Sequence, residues 1–164
     1  MNNADYIAER DRYPELDGIR IEYPSQDATS IYRELFELKD KVSKVAYAGK
    51  FRRLLKMSHN KVPTELILQM FEGIAFEDIM YPEELAVYSC WPNSITIYRG
   101  AKSDEKVPGV SWTLDRKIAE NEFYDGKLWE AVIDKKDVLA YFSKDETEEE
   151  IVTNVTEGFR ELDV

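Results

Sequence analysis

The feature that most constrains the fold is a change of hydrophobic period near Trp91-Pro92-Asn93. Before this point, apolar residues recur every three to four positions, which is the period of an amphipathic helix. After it, short segments rich in β-branched and aromatic residues alternate with turn residues, a pattern typical of strands. The change predicts an α+β protein, mainly helical over 1–92 and β-rich over 93–164.

We expect a single domain over 1–164, because the commonest domain length is roughly 100–150 residues. Hydrophobic residues make up 43% of the chain, which is enough to build a core. The expected architecture is a helical N-terminal half packed on a mostly antiparallel C-terminal β-sheet core.

The elements of each part follow from local signals. Helices are predicted from Asp27 or Thr29, either of which suits an N-cap, through 55; over 63–73; from Pro82; and, between strands, over 114–123. Gly49 is the expected break in the first helix, since glycine is unfavourable inside helices. Strands are predicted over 94–98, 110–113, 128–133, 138–142 and 151–155.

Charge and composition exclude several classes of partner. The net charge of −11 argues against direct binding of nucleic acid or of an anionic membrane surface, both of which need surplus Lys and Arg. No segment approaches the ~20 apolar residues that span a bilayer, so we expect a cytoplasmic, soluble protein. Cys90 and His59 are the only residues of their types, which predicts no disulfide and no metal site.

Two short motifs lie at the ends of predicted strands. Arg99 follows a β-rich segment and precedes Gly100, so a guanidinium suited to phosphate lies beside a residue that lets a ligand approach the backbone. Ser111 and Thr113 are two residues apart on a strand. Their hydroxyls therefore face one side, and Trp112 faces the other.

A third motif is the run of glutamates that leads into the last predicted strand, Glu148, Glu149 and Glu150. If Glu150 opens that strand, Glu148 and Glu150 share a side. Two such carboxylates divide the work of stabilising positive charge and acting as a base. A slip of one residue would instead turn Glu149 inward, and the sequence leaves this choice open.

In their order and spacing, these motifs resemble the arginine–serine–glutamate branch of the ADP-ribosyltransferase superfamily. That branch contains the cholera-like and clostridial binary toxins and many small phage and bacterial effectors. The resemblance extends from about Ile95 to Val155 and consists of Tyr98-Arg99-Gly100, Ser111-Trp112-Thr113 and Glu148-Glu149-Glu150-Ile151.

The resemblance implies that the chain cleaves NAD at the nicotinamide–ribose bond. Arg99 would hold the NAD phosphates, and Gly100 would offer backbone groups to the nicotinamide carboxamide. Ser111 would orient the catalytic Glu150, which would stabilise the oxocarbenium-like transition state. Glu148 would engage the incoming nucleophile.

It also implies roles around this centre. Thr113 would support the site beside the catalytic glutamate, and the loop over 143–147 would face the substrate protein. Phe123 and Tyr124 are candidates to stack on nicotinamide, although we expect at least one of them to pack in the core.

In this branch, a glutamate at position 148 accompanies arginine acceptors. The expected function is therefore a mono-ADP-ribosyltransferase that uses NAD as its substrate, needs no metal and modifies an arginine of a target protein. Two alternatives stay open. One is an NAD glycohydrolase with the same site, and the other is a non-enzymatic acidic protein that binds and inhibits a partner.

Overall fold

The computed structural model describes residues 2–23, 25–143 and 149–164. The chain divides into two compact units, Met1–Pro82 and Glu83–Val164. The first unit is helical, and the strands belong to the second. The α+β class is therefore confirmed, whereas the expectation of a single domain stays a prediction.

Helices are present in all the predicted regions, and the helices Asn3–Asp11 and Phe76–Ile79 are additional to them. Asp27 caps the second helix, because its carboxylate accepts hydrogen bonds from the backbone nitrogen and the hydroxyl of Ser30 at 3.4 and 2.7 Å. None of the described helices is long and apolar enough to cross a membrane. They are α1 (Asn3–Asp11), α2 (Ala28–Glu37), α3 (Lys44–Ser58), α4 (Thr64–Phe71), α5 (Phe76–Ile79), α6 (Pro82–Ser89) and α7 (Arg116–Glu122).

The predicted helix break at Gly49 is wrong. The break comes earlier, where α2 ends and Ser43 caps α3 by accepting from the backbone nitrogen of Ala46 at 3.2 Å. Gly49 lies inside α3 for a packing reason: a Cβ there would be 2.1 Å from Cδ2 of Tyr6 in α1. The glycine thus marks a close helix–helix contact rather than a helix end.

Six strands form two antiparallel sheets in the described part of the second unit, where one sheet was predicted. Their orders are β1-β3-β6 and β2-β5-β4. All five predicted strands are present, and the three-residue strand β6 was not predicted. The strands are β1 (Ser94–Lys102), β2 (Ser111–Trp112), β3 (Gly126–Asp134), β4 (Val138–Phe142), β5 (Glu150–Thr153) and β6 (Phe159–Glu161).

Candidate functional site

The first two motifs meet where β1 passes the end of β2. The backbone nitrogens of Tyr98 and Thr113 each donate to the carbonyl oxygen of the other at 2.8 Å, which links the two sheets. Arg99 is one residue further along β1 and reaches β2 from there. Its Nη1 donates to the carbonyl oxygen of Ser111 at 3.0 Å.

The second and third motifs meet through the pairing of β2 with β5. Ser111 is opposite Val152, and Trp112 is opposite Ile151. Glu150 precedes Val152 by two residues, so strand alternation turns it to the same face as Ser111. The Ser111 hydroxyl donates to Oε2 of Glu150 at 2.7 Å, a distance typical of a hydrogen bond to a carboxylate.

Glu149 and Glu150 have different neighbours, which resolves the choice between them. Glu149 is hydrogen-bonded to the hydroxyl of Tyr141, which lies opposite Ile151 on β4. Burial raises the pKa of Tyr141 to about 12, and the negative charges of Glu149 and Glu84 add to the rise. Of the two glutamates, it is therefore Glu150 that meets Ser111.

Arg99 is held by a carboxylate outside the three motifs. Glu105, between β1 and β2, accepts from Nη2 of Arg99 at 2.6 Å and from Nε at 3.2 Å. The side chains of this ion pair are 13% and 21% exposed. The guanidinium fork that the resemblance assigns to the NAD phosphates is thus engaged by Glu105.

Neighbouring residues of β3 fix Glu105 in turn. Trp129 lies opposite Arg99 on the neighbouring strand. Its indole nitrogen donates to Oε2 of Glu105 at 2.8 Å. Nζ of Lys127 donates to the backbone carbonyl of Glu105 at 2.6 Å. Sequence reasoning missed Glu105, because its only signal was an acidic residue in the turn-rich segment that joins two motif-bearing strands.

Two glycines allow close packing around these groups. A Cβ at Gly109 would lie 2.8 Å from Nη2 of Arg99, so position 109 leaves room for the guanidinium. A Cβ at Gly100 would lie 2.3 Å from the carbonyl oxygen of Ala119, so α7 packs directly on β1. Gly100 was expected at the site, whereas Gly109 was not assigned any role there.

In the motif Ser111-Trp112-Thr113, the tryptophan packs in the core and the threonine stabilises a turn. Trp112 is 2% exposed, as strand alternation predicts, and its indole nitrogen donates to the carbonyl of Gly109 at 3.0 Å. Thr113 is also buried, and its hydroxyl oxygen accepts from the backbone nitrogen of Asp115 at 3.1 Å. That hydroxyl therefore stabilises the turn that begins α7.

The expectation that Phe123 or Tyr124 packs in the core is wrong. The two residues are 49% and 42% exposed. They directly follow α7, whose fully buried residue is Ala119. Their backbones lie 2.5 and 2.6 Å from the position of a Cβ on Gly100, so two exposed aromatic residues adjoin that glycine.

Glu148 and residues 144–147 of the loop expected to face the target lie outside the described residues. The residue before them, Ser143, donates its backbone N–H to Oε2 of Glu84 at 2.5 Å. Glu84 belongs to α6 and is completely buried. This carboxylate, which sequence reasoning missed, fixes the backbone at Ser143.

The described site pairs a fixed carboxylate with a fixed guanidinium. A carboxylate whose orientation is set beforehand stabilises positive charge that develops beside it, without the cost of reorganising at that moment. Within residues 2–23, 25–143 and 149–164, no group of three or more His, Cys, Asp and Glu residues is arranged to hold a metal ion.

Comparisons of the chain with models of known protein families, with curated proteins and with solved structures found no match. Any assignment of function therefore depends on the motifs and on the contacts described above.

Proposed function

We propose that this protein is a mono-ADP-ribosyltransferase with an ADP-ribosyltransferase-like fold. It cleaves NAD at the nicotinamide–ribose bond and transfers ADP-ribose to a protein side chain, with arginine as the expected acceptor. The observation that carries the proposal is the 2.7 Å hydrogen bond from the Ser111 hydroxyl to Glu150. The backbone carbonyl of the same serine accepts a hydrogen bond from Arg99.

The contacts support the proposal more strongly than the motifs do. Each motif is short, and taken alone each is expected more often as ordinary structure than as a site. Three unrelated strings have no reason to meet in space. Here β1, β2 and β5 bring Arg99, Ser111 and Glu150 into one hydrogen-bonded set.

Glu150 is the residue we assign to the chemical step. Positive charge builds on the ribose as nicotinamide leaves, and a carboxylate beside it lowers the energy of that state. The Ser111 hydroxyl holds Oε2 of Glu150 and so keeps the carboxylate in one orientation. Glu148 is assigned to the incoming nucleophile.

The proposed phosphate contact at Arg99 involves an exchange. A phosphate and a carboxylate both match the two parallel donors of a guanidinium, so the Glu105 carboxylate occupies the position that a phosphate of NAD would take. NAD binding through Arg99 therefore requires Glu105 to move. Because Glu105 lies between strands rather than within one, this movement leaves the sheets intact.

The nicotinamide end is assigned to the surroundings of Gly100. Phe123 and Tyr124 are exposed and adjoin this glycine, where an aromatic ring offers a stacking surface for a flat ligand. In this proposal, Phe123 contacts the nicotinamide, and Thr113 supports the site through the turn that it stabilises.

The test is incubation of the purified protein with adenylate-labelled NAD and a mixture of acceptor proteins. We expect label on a protein band together with released nicotinamide. Glu150→Gln should remove both products. Glu157→Gln, a substitution of an exposed glutamate after β5, serves as the matched control and should leave both products unchanged.

The other outcomes separate the alternatives. Free ADP-ribose without labelled protein would identify an NAD glycohydrolase that uses the same residues. Absence of both products would overturn the enzymatic proposal and favour an acidic binding protein. If the protein has an effect in cells and the Glu150→Gln variant keeps it, that result would also favour an acidic binding protein.

A further inference from the structure

The first unit contains a cavity that the proposed NAD chemistry does not use. It has a volume of about 530 Å³, and α1, α3 and the segment around Ile19 line it. This volume falls within the range of about 300–1,000 Å³ that is typical of small-molecule sites. Its charged lining residues are Arg10, Asp17, Arg20, Lys50 and Arg53.

The lining of this cavity is mainly positively charged, whereas the chain as a whole is negatively charged. Four cations share the cavity with one carboxylate, in a protein whose net charge is −11. Lys50, Arg53, Leu54 and Met57 belong to one face of α3, because their spacing matches the helical repeat. One helix face therefore supplies both cationic and apolar groups to the cavity.

Lys50 is the most unusual of these groups. It is only 8% exposed, and among the described residues no carboxylate oxygen lies within 4.0 Å of its Nζ. Burial lowers the pKa of Lys50, the positive charges of Arg53 and Arg10 lower it further, and the negative charge of Asp17 offsets part of this shift. A buried cation near three other cations and a single carboxylate is costly, and a bound anion would lower that cost.

The arginines around Lys50 are held in position by an aromatic ring. The guanidinium carbons of Arg53 and Arg10 lie 4.8 and 5.9 Å from the ring centroid of Tyr6. Tyr6 is 2% exposed and packs against Gly49 of α3. The two guanidinium groups thus have a rigid support, which lowers the ordering cost of binding a ligand.

Two of the cations also have carboxylate partners at the surface. Arg10 pairs with Asp11 at 3.3 Å, and Arg20 pairs with Glu22 at 2.7 Å. Both carboxylates are well exposed, and exposed pairs of this kind contribute little. Within the described residues, Arg53 has no carboxylate partner within 4.0 Å.

We propose that this cavity binds a small organic molecule through a phosphate group, with Lys50 and Arg53 as the principal phosphate ligands. Guanidinium donors match phosphate oxygens in pairs, and the ammonium adds a compact charge beneath them. The apolar side chains of Ile19, Ile21 and Leu54 line the same cavity and suit the organic part of the ligand.

The inference is independent of NAD cleavage, and its test uses a local probe. Met57 lines the cavity, whereas Met70 is fully buried in the same unit and does not line it. With ¹³C-methyl methionine in the full-length protein, we expect pyrophosphate to shift the Met57 methyl signal saturably and to leave the Met70 signal in place. Sodium chloride at matched ionic strength should not reproduce the shift.

Substitutions then locate the binding. Arg53→Gln and Lys50→Met should each weaken pyrophosphate binding about tenfold or more, as expected for a lost charge-assisted contact. Arg20→Gln changes a side chain that is 65% exposed, so it should weaken binding without affecting folding. Lys41→Gln removes an exposed charge from the same unit and should have no effect.

Three results would overturn the proposal. The first is an unchanged Met57 signal, and the second is a shift that citrate produces with equal affinity, which would remove the preference for phosphate. The third is equal weakening by Lys41→Gln and Arg53→Gln, because that pattern reflects net charge rather than a site.

Discussion

Arg99 and Glu105 form a bidentate ion pair, in which Nη2 and Nε of the guanidinium donate to the two carboxylate oxygens at 2.6 and 3.2 Å. The remaining terminal nitrogen, Nη1, donates to the carbonyl of Ser111, whose hydroxyl donates to Glu150. Four residues are therefore linked in series across β1, β2 and β5. Substitutions along this series should separate NAD affinity from the rate of cleavage.

The first prediction concerns the ion pair. Glu105→Gln should lower KM for NAD about fivefold, since a neutral amide competes for Arg99 less well than a carboxylate by about 1 kcal/mol. The rate at saturating NAD should change little. Steady-state release of nicotinamide measures both quantities, with the exposed Glu122→Gln as control. A higher KM would mean instead that Glu105 holds Arg99 in its binding position.

The second prediction concerns Ser111. Ser111→Ala removes the donor that orients Glu150. Hydrogen bonds to charged groups contribute about 1.5–3 kcal/mol, so kcat should fall roughly 10- to 100-fold. KM for NAD should stay within about twofold of the wild-type value, since the lost contact acts on the transition state. Ser94→Ala, at an exposed position of β1, is the matched control; equal kcat in the two variants would remove Ser111 from the mechanism.

The third prediction tests the space beside Arg99. Gly109→Ala introduces a methyl group 2.8 Å from Nη2 of Arg99, so the guanidinium has to shift. We expect at least a tenfold loss of kcat/KM, about 1.4 kcal/mol, with little change in melting temperature. Gly18→Ala is the control, because no atom lies within 4 Å of the added methyl group there. Full activity of Gly109→Ala would show that the position of Arg99 is not critical.

The fourth prediction concerns the stability of the first unit. Alanine is favoured over glycine inside a helix by about 1 kcal/mol, yet Gly49→Ala should lower the free energy of unfolding by about 1–3 kcal/mol. The reason is the ring of Tyr6, 2.1 Å from the new methyl group. In a Tyr6→Ala background, the same substitution should be neutral or stabilising. Urea unfolding of the wild type, the two single variants and the double variant measures the coupling between the two positions. Non-additive effects would show a steric origin, whereas additive effects would contradict it.

The fifth prediction is a pH dependence. The folded protein keeps the Tyr141 proton up to a pKa of about 12, whereas an unfolded tyrosine loses it near 10. Stability from this group is complete below pH 10 and is lost as the pH rises from 10 to 12. Between pH 10 and 12, the free energy of unfolding of Tyr141→Phe should fall by up to about 2 kcal/mol less than that of the wild type. Chemical unfolding at each pH gives the slopes; parallel slopes would contradict the assignment.

Local pattern predicted much of this fold. The helical and strand periods predicted the α+β class and five of the six described strands, and Asp27 was one of the two candidate N-caps. Alternation along a strand correctly turned Trp112 into the core. These features depend on residues within a few positions of one another, so they are readable from the chain alone.

Other features depend on residues that meet only after folding. Glu105 reaches Arg99 because β1 and β3 carry Trp129 to the same point, and Gly49 is explained by a tyrosine 43 positions earlier. The sequence by itself predicted the types of most elements. It also named Ser111 and Glu150 as candidate partners. Only the tertiary structure decided that Glu150 rather than Glu149 meets Ser111, because strand register sets which side chains face each other across a sheet, and register is a property of paired strands.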